Sequence, residues 1–107
     1  MINKIILTGR LVRDPELKKT NAGVSFSRFT IAVSRNYRNA DGEIDTDFIN
    51  IISWREQAER CVEYLAKGRL IGIEGSLNIR KSEKEENTYI DHVVNADRIE
   101  YLDSPKN

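Results

Sequence analysis

The chain has little of what most catalytic or secreted proteins rely on. It holds one cysteine and one histidine, and its charges cancel. A lone Cys61 excludes an internal disulfide, and a reducing cytoplasm is the expected compartment. His92 has no second histidine or cysteine nearby to complete a zinc set, so no metal or other cofactor is expected. No apolar run approaches the roughly 20 residues that span a bilayer. The N-terminus, MINKIILTGR, lacks the small-residue cleavage region of a secretory signal and reads as a strand. No glycine-rich loop follows a strand and opens a helix, which removes both nucleotide-binding fingerprints. Asp45 and Asp47 form an alternating carboxylate pair of the kind that can hold a divalent cation, but no further ligand accompanies them. No catalytic residue stands out, and the protein is expected not to be an enzyme.

With 107 residues the chain suits one domain with one modest core. The boundaries expected are 1–103 for that domain and 104–107 for a frayed end. The neutral total hides an asymmetry. Residues 1–40 hold eight Lys or Arg against two acids, Asp14 and Glu16, and the rest of the chain carries the compensating negative charge. Such a chain can present a basic surface while staying neutral overall.

Five strand-like segments and one helix are predicted. Ile2–Val12 is a long β-rich run interrupted by Gly9. Val24–Arg35 alternates, with Val24 and Phe26 on one face and Phe29, Ile31 and Val33 on the other. The change of phase near Ser27–Arg28 suggests a bend or bulge. Asn21-Ala22-Gly23 and Asn39-Ala40-Asp41-Gly42 mark turns, and Thr46–Ser53 is the third strand. Ser53 with Glu56 three residues on has the pattern of a capping box opening a helix over Arg55–Lys67. Ala58, Cys61, Val62 and Leu65 make its apolar stripe, which reads Cys61 as a core residue rather than a nucleophile. Lys67 suits the last turn and Gly68 the position beyond it. Leu70–Arg80, a charged loop Lys81–Asn87 and Thr88–Leu102 complete the chain. Three strands, a helix and two strands is the order of a five-stranded OB-fold barrel, all-β with one helix between strands three and four.

Binding chemistry is better supplied than catalysis. Tyr37 sits between Arg35 and Arg38, and Phe48 and Trp54 lie on the strand leaving that hairpin. Rings interleaved with guanidinium groups suit a single nucleic-acid strand, whose bases stack while its phosphates meet cations. Taken singly, each ring is equally readable as core. Other readings of the same chain are an OB-fold primosomal or RNA-binding factor, or a protein–protein adaptor whose rings are buried.

Several segments resemble the bacterial and phage single-stranded DNA-binding protein family, in its Gram-positive branch, over residues 2–102. They are NKIILTGRLVRDPELK, FTIAVSRNY, DFINIISWR, AERCVEYLAKG and GSLNIRK, in this order and spacing. The resemblance implies coating and protection of single-stranded DNA in replication, recombination or repair, in the nucleoid-associated cytoplasm. It also implies a homotetramer built from first-strand pairing. Stacking rings map to Tyr37, Phe48 and Trp54. Phosphate contacts map to Lys4, Lys18, Arg35, Arg38, Arg55, Lys67, Arg80 and Lys81. The sequence departs from the family at Ser82, where a further ring is common, and at Asn50, Glu56 and Asn78, where some members are basic. Family members continue into a disordered tail with an acidic tip. Asp103–Asn107 does not have that character, so recruitment of repair and replication partners is not carried over.

Overall fold

Alternating strands that bury one face each close on themselves here. In the computed structural model the described residues are 1–103, so the end expected at 104–107 lies outside them. The elements are β1 (Ile5–Leu11), β2 (Glu16–Lys19), β3 (Ser25–Arg38), β4 (Ile44–Trp54), α1 (Arg55–Tyr64), β5 (Leu70–Lys84) and β6 (Asn87–Tyr101). The sheet runs β1-β5-β6-β4-β3-β2, and Arg10 and Leu11 of β1 pair back onto Ala32 and Ile31 of β3. That pairing closes a five-stranded OB barrel from β1, β3, β4, β6 and β5. β2 is an addition that sequence periodicity did not reveal, four residues zipped onto β3 through Lys18↔Phe26 and Glu16↔Arg28. β4 and β6 run parallel, and every other neighbouring pair is antiparallel.

The interior is filled by Leu11, Phe29, Ile31, Ile51, Ile71, Ile73, Val94 and Ala96, with Cys61 and Leu65 of the helix region plugging one end. Each fully buried Ile or Val contributes about 1.5–3 kcal/mol. Burial also pushes the Cys61 thiol up to about 11, so it stays protonated at neutral pH. No helix of the described residues is long and apolar enough to cross a membrane.

Three local expectations are corrected. Ser53 does not cap the helix: it is buried in β4 with its hydroxyl 3.9 Å from Cys61 Sγ, and Trp54 is the N-cap, with no side-chain capping bond. The helix stops at Tyr64, because Leu65 turns extended to enter the core, so Lys67 and Gly68 belong to the following loop. The charged loop expected over Lys81–Asn87 is mostly strand. β5 reaches Lys84, β6 starts at Asn87, and Glu85 and Glu86 alone turn the chain, both with positive φ (51° and 75°). The bend expected near Ser27–Arg28 is also corrected: β3 pairs regularly with β4 from Phe26 to Ser34, and its irregularity lies between Ser34 and Arg38. Ser27, Phe29 and Ile31 all point inward, and Phe26 points outward, where it meets Trp54.

Two glycines mark close approaches of backbone. A Cβ on Gly9 would lie 2.6 Å from the Ala32 carbonyl oxygen, at the seam where β1 meets β3. A Cβ on Gly75 would lie 2.1 Å from the Asn95 carbonyl oxygen, beside a register shift in the β5–β6 pair. Gly75→Ala is therefore expected to destabilise the fold by about 1–3 kcal/mol, the usual cost of overpacking. Gly72→Ala, whose new methyl meets its nearest neighbour at 3.6 Å, is the control and should melt close to the parent. Equal thermal midpoints for the two variants would contradict this account.

Candidate nucleic-acid interface

The cross-strand register decides which side chains share the outer wall of the barrel. Ala32 opposes Phe48, Thr30 opposes Asn50, Arg28 opposes Ile52 and Phe26 opposes Trp54. On the other side of β4, Asn50 is level with Val93 and Ile52 with Asn95, and β5 follows with Asn78 opposite Val93. Side chains opposite one another in a sheet point to the same side. One face therefore carries Phe26, Arg28, Thr30, Phe48, Asn50, Trp54 and Asn95, with Ile52 and Val93 buried beneath them.

Phe48 and Trp54 stand at two ends of this row. Phe48 is 67% exposed, which is unusual for phenylalanine in a strand. Trp54 is half-buried. Its indole N–H donates to Asn95 Oδ1 at 2.9 Å, and its ring lies 5.5 Å from Phe26 at a tilt of 39°. Between the rings, Thr30 donates its hydroxyl to Asn50 Oδ1 at 2.9 Å. An open groove of about 320 Å³ runs beside them, lined among others by Arg13, Lys18, Arg28, Thr30 and Asn50.

Tyr37 is 62% exposed but belongs to a different face. It shares the side of β3 that carries Arg35, whose guanidinium reaches the Tyr37 hydroxyl at 3.4 Å and grips Asp47 with bonds of 3.0 and 2.9 Å. Asp47 neighbours Phe48 in β4 and so points the opposite way. These residues line a second groove of about 700 Å³ together with Thr8 and Val33. A polymer touching all three rings has to pass around the β3–β4 hairpin. The hydrogen bonds from Arg35 hold the Asp47 carboxyl below the ordinary carboxylate range.

The cations divide similarly. Lys18 lines the first groove, and Arg55 directly follows Trp54, exposed and with a positive φ of 59°. Arg80 is exposed on β5, level with Asp91, and Lys81 points to the other side of the same hairpin, level with Ile90. Arg38 donates to the Gly42 carbonyl at 2.8 Å within the hairpin turn. Lys67 is exposed in the loop after the helix, its backbone N–H held by Asp14 at 2.7 Å. Lys4 is ion-paired with Glu74 on the β1–β5 wall, away from the row of rings. The basic excess of residues 1–40 is partly met by acids from the rest of the chain, in the pairs Lys4–Glu74, Arg10–Asp103, Arg28–Asp91 and Arg35–Asp47.

Sequence reasoning passed over Phe26, Arg13, Arg28 and Asn95. Phe26 is on the face opposite Phe29 and Ile31, as the alternation predicts, but it was not singled out as a neighbour of Trp54. Carrying the same period of two forward from Phe26 puts Arg28 and Thr30 beside it on the outside. Nothing local in the sequence marked Asn95, since its role depends on the parallel pairing of β6 with β4.

The model of the single-strand binding protein family matches residues 2–102. A protein named single-stranded DNA-binding protein 1 from Staphylococcus aureus (strain MSSA476) is 50% identical over 109 residues, spanning 100% of this chain and 69% of the relative. Single-stranded DNA-binding protein B from Bacillus subtilis (strain 168) is 41% identical over 105 residues, spanning 96% of this chain and 92% of the relative. An open barrel wall that carries an exposed Phe48 and a half-buried Trp54, and a family match across nearly all the described residues, lead to one assignment: this chain belongs to the single-strand binding protein family.

Proposed function

We propose that this protein binds single-stranded DNA without strong sequence preference and protects it during replication, recombination or repair. The observation that carries the reading is the outer wall that bears Phe48, Asn50 and Trp54 on one strand, with Asn50 also lining a groove that holds Arg13, Lys18 and Arg28 together with Asp14 and Glu16. Bases stack on the rings, which accept any base because every base has a π-face, and cations follow the phosphates. No bond is made or broken; the strand is occluded from reannealing and from nucleases. A protein–protein adaptor would hide its rings, whereas Tyr37 and Phe48 are 62% and 67% exposed. The ligand places the protein in the nucleoid-associated cytoplasm, and residues 1–103 act as one binding domain.

Titration of intrinsic Trp54 fluorescence with oligo-dT, duplex and RNA of matched length tests the reading. Oligo-dT should quench strongly and duplex far less, because a duplex keeps its bases stacked on one another. Equal responses to duplex and single strand would overturn it.

The cations proposed to meet phosphate are Lys18, Arg28, Arg35, Arg38, Arg55, Arg80 and Lys81, with Lys4 and Lys67 as outlying members of the same set. Each contact on a single strand should contribute about −0.7 to the slope of log K against log salt. Arg38→Ala should reduce the slope by less than one unit and weaken all sequences alike. A flat salt dependence would place binding elsewhere.

We further propose a homotetramer formed through β1. That strand pairs with β5 along its length but with β3 only at Arg10 and Leu11. The other edge of its first half is left open beside Ile6, which is 74% exposed. An open edge of this kind is normally paired or covered, and pairing with a second copy satisfies it.

A further inference from the structure

We infer that Asn95 is a positioning residue that fixes the orientation of the Trp54 indole, so that the ring is presented as a ready-made platform before DNA arrives. The inference rests on the reading of Trp54 as a stacking ring and adds a residue from a different strand to that site.

An indole N–H only donates, so the group facing it at 2.9 Å has to be the amide oxygen of Asn95, not its nitrogen. The bond links residues 41 positions apart, from β4 to β6. Phe26, the cross-strand partner of Trp54 on β3, borders the indole at 5.5 Å. The indole is therefore restrained from both neighbouring strands, by a ring from β3 and an acceptor from β6. The acceptor is itself firmly placed. The Asn95 backbone passes so close to Gly75 that a methyl there would sit 2.1 Å from its carbonyl oxygen. Its neighbour Ala96 accepts a bond of 3.0 Å from the Gln57 side chain of α1. Phe48, in contrast, has no polar atom by which it could be held. A side chain already in its bound orientation loses less freedom on association.

Trp54 is the single tryptophan, so its motion can be read without labelling. Time-resolved fluorescence anisotropy of the free protein should show almost no sub-nanosecond indole motion. In Asn95→Leu, which keeps the bulk but cannot accept, a fast component should appear. Affinity for oligo-dT should fall about 2- to 10-fold, the span of one net hydrogen bond. In a Trp54→Phe background the same Asn95→Leu change should leave affinity unaltered, because phenylalanine has no N–H to hold. Asn95→Ser is the second variant should the leucine protein fail to fold, and it should behave alike, since its hydroxyl is too short to reach. An equal affinity loss in both backgrounds would mean that Asn95 touches DNA itself, and would overturn positioning. So would an unchanged anisotropy decay. Failure of the parent to bind oligo-dT would defeat the functional reading alone, since the anisotropy of the free protein is measured without any ligand.

Discussion

Trp54→Ala should lose about 5- to 150-fold in affinity for oligo-dT, because one base–ring stack is worth roughly 1–3 kcal/mol. The loss should be visible by filter binding or by anisotropy of a labelled oligonucleotide, since the variant has no tryptophan left to report. The upper part of the range is expected, for the ring is held at its two sides by Phe26 and Asn95. Removing it also strands the Asn95 oxygen and takes away the ring that meets Phe26, so a thermal melt has to accompany the measurement. Phe48→Ala should weaken binding with less effect on the melt, because a side chain 67% exposed contributes little to the core. A folded Trp54→Ala protein with parental affinity would return Trp54 to a structural role.

The second large effect concerns length. A tetramer carries four copies of the groove, and an oligonucleotide long enough to reach a second copy should bind about 10²- to 10⁴-fold tighter than one confined to a single groove. The rise should come as a step in a series of oligo-dT lengths rather than as a steady slope. Light scattering should give a mass near four chains of 12.3 kDa. Replacing Ile6 by Lys should place like charges at the open β1 edge, lower the mass and remove the step while a short oligonucleotide still binds. A parent that is monomeric at micromolar concentration and binds short oligo-dT would refute the assembly and leave the binding intact.

Much of this molecule was legible in its sequence where one physical signal acts locally. The helix stripe is an example: Ala58 and Cys61 are buried as their spacing requires, while Val62 is half-buried and Leu65 reaches the core from the extended residue after the helix. The turns at Gly23 and Gly42 are others, with φ of 83° and 80°. Legibility fails where two signals share residues. Ser53 and Glu56 have capping-box spacing, but Ser53 also continues the inward row of β4, and burial against Cys61 decided the matter. Glu85-Glu86 is a poor match to the sequences favoured in two-residue turns, so the length of the β5–β6 arm was underestimated by the charge of its tip. The candidate site divides in the same way. Phe48 and Trp54 share a face by simple parity, yet Tyr37 departs from them because parity also separates Arg35 and Asp47 from Phe48. Asn95 could be found only by knowing which strand lies beside β4, a long-range fact that no window of sequence contains.

The parallel pairing of β4 with β6 bears on how such a chain comes to be folded. β3 and β4 form a hairpin from neighbouring sequence, but the free edge of β4 waits for the last strand of the barrel. At ordinary synthesis rates of about 5–20 residues per second, roughly 2–10 s pass between completing Trp54 and completing Tyr101. Over that interval Ile52 lacks its β6 cover and Trp54 its acceptor, and contacts this distant in sequence are among the slow ones to form. The nascent protein therefore cannot engage a strand with its finished surface until its final strand has docked, and ring closure and competence for DNA arrive in one event.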